Sequence, residues 1–369
     1  MSFELYRDVE GLYIGRELQE KTVRSVLSYE PQEGDIFIVS YPKCGTTWMR
    51  YITYNIFNDG IRPPSMLDVF RSVPFLEGRG IQDEKDSPRP VAMKTHLPFG
   101  KQPYSEGAKY IYISRNPYDC CVSFYRYAET TRAHQFKGRN FDEFFESFVR
   151  GKVNFGDYFD HLLSWYAHRS DPNVLFMTYE DLKKDTGSCV LKVADFIREE
   201  YGRKLRDQPE LLERIVSNVS LESMKDLEKA MKKKVTQRRA DEPSTLPEAV
   251  RTKRVLFGGA VETPLRGDLV RKGVVGDWKN HFSRVQVEER KRRIALQTKK
   301  EAMLCVCGKT SISRDRHGTS ICSFAFLIKT FIRPFDILLN PGWHFRNVDT
   351  HSPKVDSEKT KQNPDRNFP

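Results

Sequence analysis

Residues 36–50 read IFIVSYPKCGTTWMR, and this stretch decides the fold. Ile36 to Val39 is a short β-branched and aromatic run, the composition of a buried parallel strand. Pro42 and Gly45 punctuate it, and Trp48, Ile52 and Ile56 then recur at helical spacing. A loop in that position delivers free backbone N–H groups to a helix N-terminus, where the macrodipole also favours an anion. Lys43 adds a full positive charge. The segment therefore reads as a cradle for a phosphate. The P-loop of nucleoside-triphosphate enzymes is a different device, because it carries its lysine directly after a second glycine. Here the lysine precedes a single glycine.

Three other segments carry chemistry. In Val91 to Pro98, VAMKTHLP, a short apolar strand leads to Lys94 and His96 at alternate positions, so an extended chain projects both side chains from one face. An ammonium and an imidazole can then address one centre, and imidazole is the side chain whose ordinary pKa suits a base near neutrality. Arg115 follows the strand Tyr110 to Ile113 in SRNPYDCCVSF, where Asn116 and Pro117 suit a helix cap and first turn and Ser123 lies about two turns in. That puts Arg115 at the ligand edge of an open α/β sheet. Arg271 to Phe282, RKGVVGDWKNHF, offers a planar guanidinium fork, a point charge at Lys272, and close backbone approach at Gly273.

The first loop resembles the phosphosulfate loop of the cytosolic sulfotransferases, which reads close to YPKSGTTW. Tyr41, Pro42, Lys43, Gly45, Thr46, Thr47 and Trp48 match in order, with Cys44 for the usual serine. The segment from Arg271 matches that family's 3′-phosphate loop, RKGxxGDWKNxF, and VAMKTHLP contains its KTHLP. The resemblance implies a donor with a 5′-phosphosulfate and a separate 3′-phosphate, PAPS (3′-phosphoadenylyl sulfate), and no metal. It implies His96 as general base, Lys94 as stabiliser of the sulfuryl group and Lys43 beside the bridging oxygen. It further implies Arg115 and Ser123 on the 3′-phosphate and Tyr179 of TYEDL against the adenine, with Trp48 on the base's other side and Met224 retained nearby. Phe75 and Tyr127 match aromatic positions of the acceptor pocket, which favours a phenol or another planar apolar alcohol or amine.

Two departures stand out. Val219 and Leu221 replace the threonine and the aromatic that the family commonly places beside the adenine. The dimerisation motif KxxxTVxxxE survives only as Lys279, Ser283, Arg284 and Glu288, which weakens the expectation of a homodimer.

Composition fits an enzyme domain with an appendage. Apolar content of 38% with 12% aromatics is globular in a chain of 369 residues. The start MSFELYRDVEGL lacks the pattern of a signal peptide, and the longest apolar tract, Ile321 to Ile332, is interrupted by Lys329 and too short to span a bilayer. Seven irregularly spaced cysteines suit a reducing cytoplasm, with Cys44 the redox-sensitive candidate. A net charge of +11 is compatible with a nucleic-acid partner, but no recognition motif accompanies it, and a polyanionic small donor accounts for it more simply. The strand-like runs, with Val174 to Met177, alternate with helical patterns at Phe141 to Arg150, Tyr158 to His168 and Ser188 to Arg198, which predicts a P-loop-like, doubly wound parallel sheet.

The resemblance ends near Gln297, so residues 1–297 are expected to form the sulfotransferase domain and 298–369 an atypical, largely irregular extension. The expected reaction is sulfuryl transfer from PAPS to a small acceptor. A non-catalytic protein that binds PAPS or its product, and a nucleotide kinase, are the alternatives.

Overall fold

The computed structural model describes residues 6–130, 140–241, 268–289 and 292. The chain divides into two units, Met1–Ser313 and Arg314–Pro369, and every described residue belongs to the first. The expected extension and its apolar tract lie outside the described residues.

A hairpin of β1 (Tyr6–Val9) and β2 (Leu12–Gly15) precedes the main sheet, which is built from β3 (Asp35–Val39), β4 (Val91–Thr95), β5 (Lys109–Ser114) and β6 (Val174–Thr178). These four strands are all parallel, in the order β4-β3-β5-β6. Chain order therefore runs outward from β3 in both directions, and a topological switch falls between β3 and β5, where open α/β sheets bind ligands beyond the strands' carboxyl ends.

The alternation of β3 explains why both faces are covered. Ile36 and Ile38 enter one apolar core with Ile111 and Ile113 of β5, packed against the helices Thr46–Phe57, Met66–Ser72 and Thr186–Ile197. Phe37 faces the other way and stacks on Tyr110 at 5.2 Å. Tyr110 and Tyr112 in turn pack on Trp165 of the helix Tyr158–Tyr166. Burying each such side chain contributes about 1.5–3 kcal/mol, so the sheet is fixed from both sides. At the amino end of β3 the fully buried Asp35 accepts from Tyr29 Oη at 2.6 Å and pairs with Arg89 at 3.1 Å, which anchors the edge opposite the switch point.

The helix after β5 spans Pro117–Thr130 and is capped as its sequence suggests, with Asn116 Oδ1 accepting from Tyr118 N at 2.8 Å. A long helix, Leu221–Asp241, leads toward the segment that begins at Asp268.

Candidate active site

A cavity of about 570 Å³ opens beyond the carboxyl ends of β3 and β5. Its floor is the loop after β3. Gly45 adopts φ +106, and a Cβ there would stand 2.8 Å from Tyr179 Cδ2, so only glycine leaves room for both the turn and the tyrosine. Lys43 also takes positive φ, +71, and its Nζ lies 4.4 Å over the Tyr127 ring. Burial, reinforced by the nearby Arg115, pulls the Lys43 ammonium down to about 8. Ser40 and Thr46 hydroxyls bond at 2.5 Å and tie the strand end to the first helical residue.

The imidazole of His96 stands just past β4. Its Nδ1 lies 2.6 Å from Ser40 O, a carbonyl that can only accept, so Nδ1 carries the proton and Nε2 the lone pair. Burial, with Lys94 adding to it, pushes this histidine well below its ordinary pKa, which keeps the ring neutral. The backbone is pinned as well. His96 N donates to Glu77 Oε1 at 2.6 Å, and His161 Nε2 donates to His96 O at 3.0 Å. Phe75 and Phe155 rings meet the imidazole edge-on at 5.4 Å and 5.1 Å. Phe75 also lies under Lys94 Nζ at 3.5 Å, which orients the ammonium beside the imidazole.

The opposite wall is positive. Arg115 donates from Nη1 to Lys43 O at 3.2 Å and from Nη2 to Val274 O at 3.3 Å, so one guanidinium bridges the two basic loops. Arg271 Nη2 and Lys272 Nζ both reach Asp277, at 2.7 Å and 2.8 Å. Burial would raise that carboxyl, but Lys272 and Arg271 hold it far below the usual range. The loop is gripped at each end by a buried carboxylate. Glu228 accepts from Leu269 N at 2.7 Å and Val270 N at 2.9 Å, and Asp119 accepts from Gly276 N at 2.7 Å and Trp278 N at 3.0 Å. Gly273 has φ +61, and a Cβ there would meet Leu221 Cδ1 at 2.8 Å. Arg115 Nε and Trp48 Nε1 are buried with no hydrogen-bond partner among the described residues.

Residues 33–257 match the sulfotransferase domain. The chain belongs to the sulfotransferase family. It is 32% identical to sulfotransferase 1E1 from Homo sapiens over 314 residues, covering 82% of this chain and 96% of that protein. Amine sulfotransferase from Oryctolagus cuniculus is 32% identical over 286 residues, covering 76% and 86%. Among solved structures, mouse sulfotransferase SULT7A1 complexed with PAP aligns with a TM-score of 0.56 at 27% identity over 78% of this chain and 92% of that one. Retinol dehydratase in a complex with retinol and PAP shares the fold, with a TM-score of 0.58 at 22% identity over 78% and 87%.

In this sulfotransferase, Lys43, Gly45, Thr46, Thr47, Trp48, Phe75, Lys94, His96, Arg115, Ser123, Tyr127, Tyr179, Met224, Arg271, Lys272 and Gly273, all expected from sequence, line the one cavity. Cys44 does not. Its thiol points into the interior, 3.7 Å from the Cys120 thiol, and is fully buried. Burial, with the adjacent Cys120 adding to it, pushes the Cys44 thiol well above the ordinary thiol range. Trp48 and Tyr179, expected on either side of a base, meet edge to face at 5.6 Å. Sequence reading missed Glu17, Arg50, Phe70, Asn154 and Phe155, which line the same cavity. Arg50 closes the 36–50 stretch, and the other four stand outside every motif read from the sequence.

Proposed function

We propose that this sulfotransferase moves a sulfuryl group from PAPS to a hydroxyl or amine of a small, partly aromatic acceptor in the cytoplasm, with His96 as general base. The observation that carries this reading is the commitment of His96 Nδ1 to Ser40 O, which leaves a neutral ring's Nε2 lone pair in a cavity bounded by two basic loops. The donor's fit is supported by Arg115 Nε and Trp48 Nε1, which have no hydrogen-bond partner among the described residues.

PAPS supplies an activated sulfur whose bond to the bridging phosphate oxygen breaks as the acceptor bond forms, leaving adenosine 3′,5′-bisphosphate (PAP). His96 Nε2 takes the proton that the acceptor O–H or N–H loses. Lys94 and Lys43 stand where negative charge grows on the transferred group and the leaving phosphate, the placement that lowers a barrier most in a dry site. Arg115, Ser123, Arg271 and Lys272 hold the 3′-phosphate, with Asp277 releasing the last two when the phosphate arrives. Trp48 and Tyr179 receive the adenine, Thr46 and Thr47 the 5′ end, and Phe75 and Tyr127 the acceptor ring.

The test is transfer of label from PAPS to a panel of simple phenols. Wild type should form labelled product without added metal, and His96→Ala should cut turnover by about 10²-fold or more while PAP binding stays intact. PAP binding with no transfer to any acceptor would replace this reading with that of a non-catalytic binding protein. Magnesium-dependent ATP turnover would replace it with that of a kinase.

A further inference from the structure

Three buried carboxylates meet the segment from Leu269 to Trp278, and they divide the work unevenly. Glu228 and Asp119 spend both oxygens on its backbone amides, one near each end, which fixes the course of the loop. Asp277 takes side chains instead. Its Oδ2 pairs with Arg271 Nη2 at 2.7 Å and its Oδ1 with Lys272 Nζ at 2.8 Å. These are the two cations that the segment contributes to the cavity, whereas Asp277 does not line it and reaches both from outside that space.

The carboxylate has little else to lean on. Among the described residues, Asn280 Nδ2 approaches Oδ1 only at 3.4 Å, and His281 Nε2 stands 3.7 Å from Oδ2. Asp277 is 6% exposed, so water offers little compensation. Four cations, Lys43, Arg115, Arg271 and Lys272, line the cavity, and like charges gathered in one space repel. With the site empty, Asp277 offsets two of them. When a phosphate arrives, the same carboxylate is a like charge beside it that competes for the same two donors, and giving them up strands a buried anion.

We propose that Asp277 is a positioning residue that serves as a resident counter-anion. It holds Arg271 and Lys272 while the site is empty, and by competing for them it limits how tightly a 3′-phosphate binds and how long PAP stays. The inference rests on the donor reading above and adds to it a residue that sets donor and product affinity from outside the cavity. A carboxylate that merely shaped the loop would strengthen donor binding, whereas this one weakens it. The sign of the effect separates the two roles.

Calorimetric titration of the full chain with PAP and with adenosine 5′-phosphate, which lacks the 3′ group, reads that sign. Asp277→Asn keeps the shape and removes the charge. It should tighten PAP by about 5-fold or more, the scale of a hydrogen bond to a charged group, with adenosine 5′-phosphate within about 2-fold. Dissociation of bound PAP should slow correspondingly. Asp277→Glu retains the charge and should bind PAP as wild type does to within about 2-fold. Asp277→Ser, a second neutral variant, carries the same expectation as the amide should the amide fail to fold. Unchanged or weaker PAP binding in a folded neutral variant would overturn the proposal and leave the donor reading intact. Equal tightening of both ligands would overturn it as well. If wild type bound PAP no better than adenosine 5′-phosphate, the proposal and the donor reading would fall together.

Discussion

At Lys43 the backbone bends into the left-handed region so that an ammonium can sit in the cavity floor, where burial and Arg115 hold it down to about 8. Such a group is charged below that value and neutral above it, and a polyanionic donor binds the charged form. We expect kcat/KM for PAPS to decline above about pH 8, and Lys43→Arg, which stays ionised, to move that decline to higher pH. A flat profile to about pH 10 in wild type would remove Lys43 from the donor site. The residue itself was legible because its place in the loop is sequence-local. The proton on His96 Nδ1 was not, since Ser40, 56 residues away, decides it. The inward turn of Cys44 was hidden for the same reason, its partner Cys120 being 76 residues distant.

Among the elements, the segment from Leu269 to Trp278 carries little regular structure of its own, and two helices position it. Glu228 from Leu221–Asp241 and Asp119 from Pro117–Thr130 each take a pair of its backbone amides. Glu228→Gln turns an acceptor into a donor against one of those amides, at a cost of about 1–3 kcal/mol. If the 3′-phosphate sits on this loop as proposed, PAP binding should weaken by about 5-fold or more and binding of adenosine 5′-phosphate much less. Equal losses, measured calorimetrically, would mean the carboxylate merely stabilises the fold. Strands β3 to β6 were readable as apolar runs, and the structure extends each by only one or two residues, so that Lys94 lies inside β4. The β1–β2 hairpin was not, because its strands are four residues long and Asp8 and Arg7 interrupt the apolar signal. Glu228 and Asp119 escaped notice because each acts through contacts that only the folded chain makes.

For the whole molecule, the sheet's role is to bring together loops that lie far apart in sequence, and its switch point is where they converge. Every assigned donor and catalytic residue falls between Lys43 and Gly273. We therefore expect a chain ending at Gln297 to keep PAP affinity within about 3-fold, with any loss confined to melting temperature or solubility. Collapse of PAP binding in that variant, with the fold intact, would show that later residues complete the site. On the proposed reading, one donor spans both basic loops, with Lys43 at its sulfate end and Arg271 at its 3′-phosphate. The most direct measurement is calorimetric binding of PAP and of adenosine 5′-phosphate to wild type and Arg271→Ala. PAP affinity should fall by about 10-fold or more with adenosine 5′-phosphate nearly unchanged, the loss of one charge-assisted contact. Equal losses for the two ligands would contradict it.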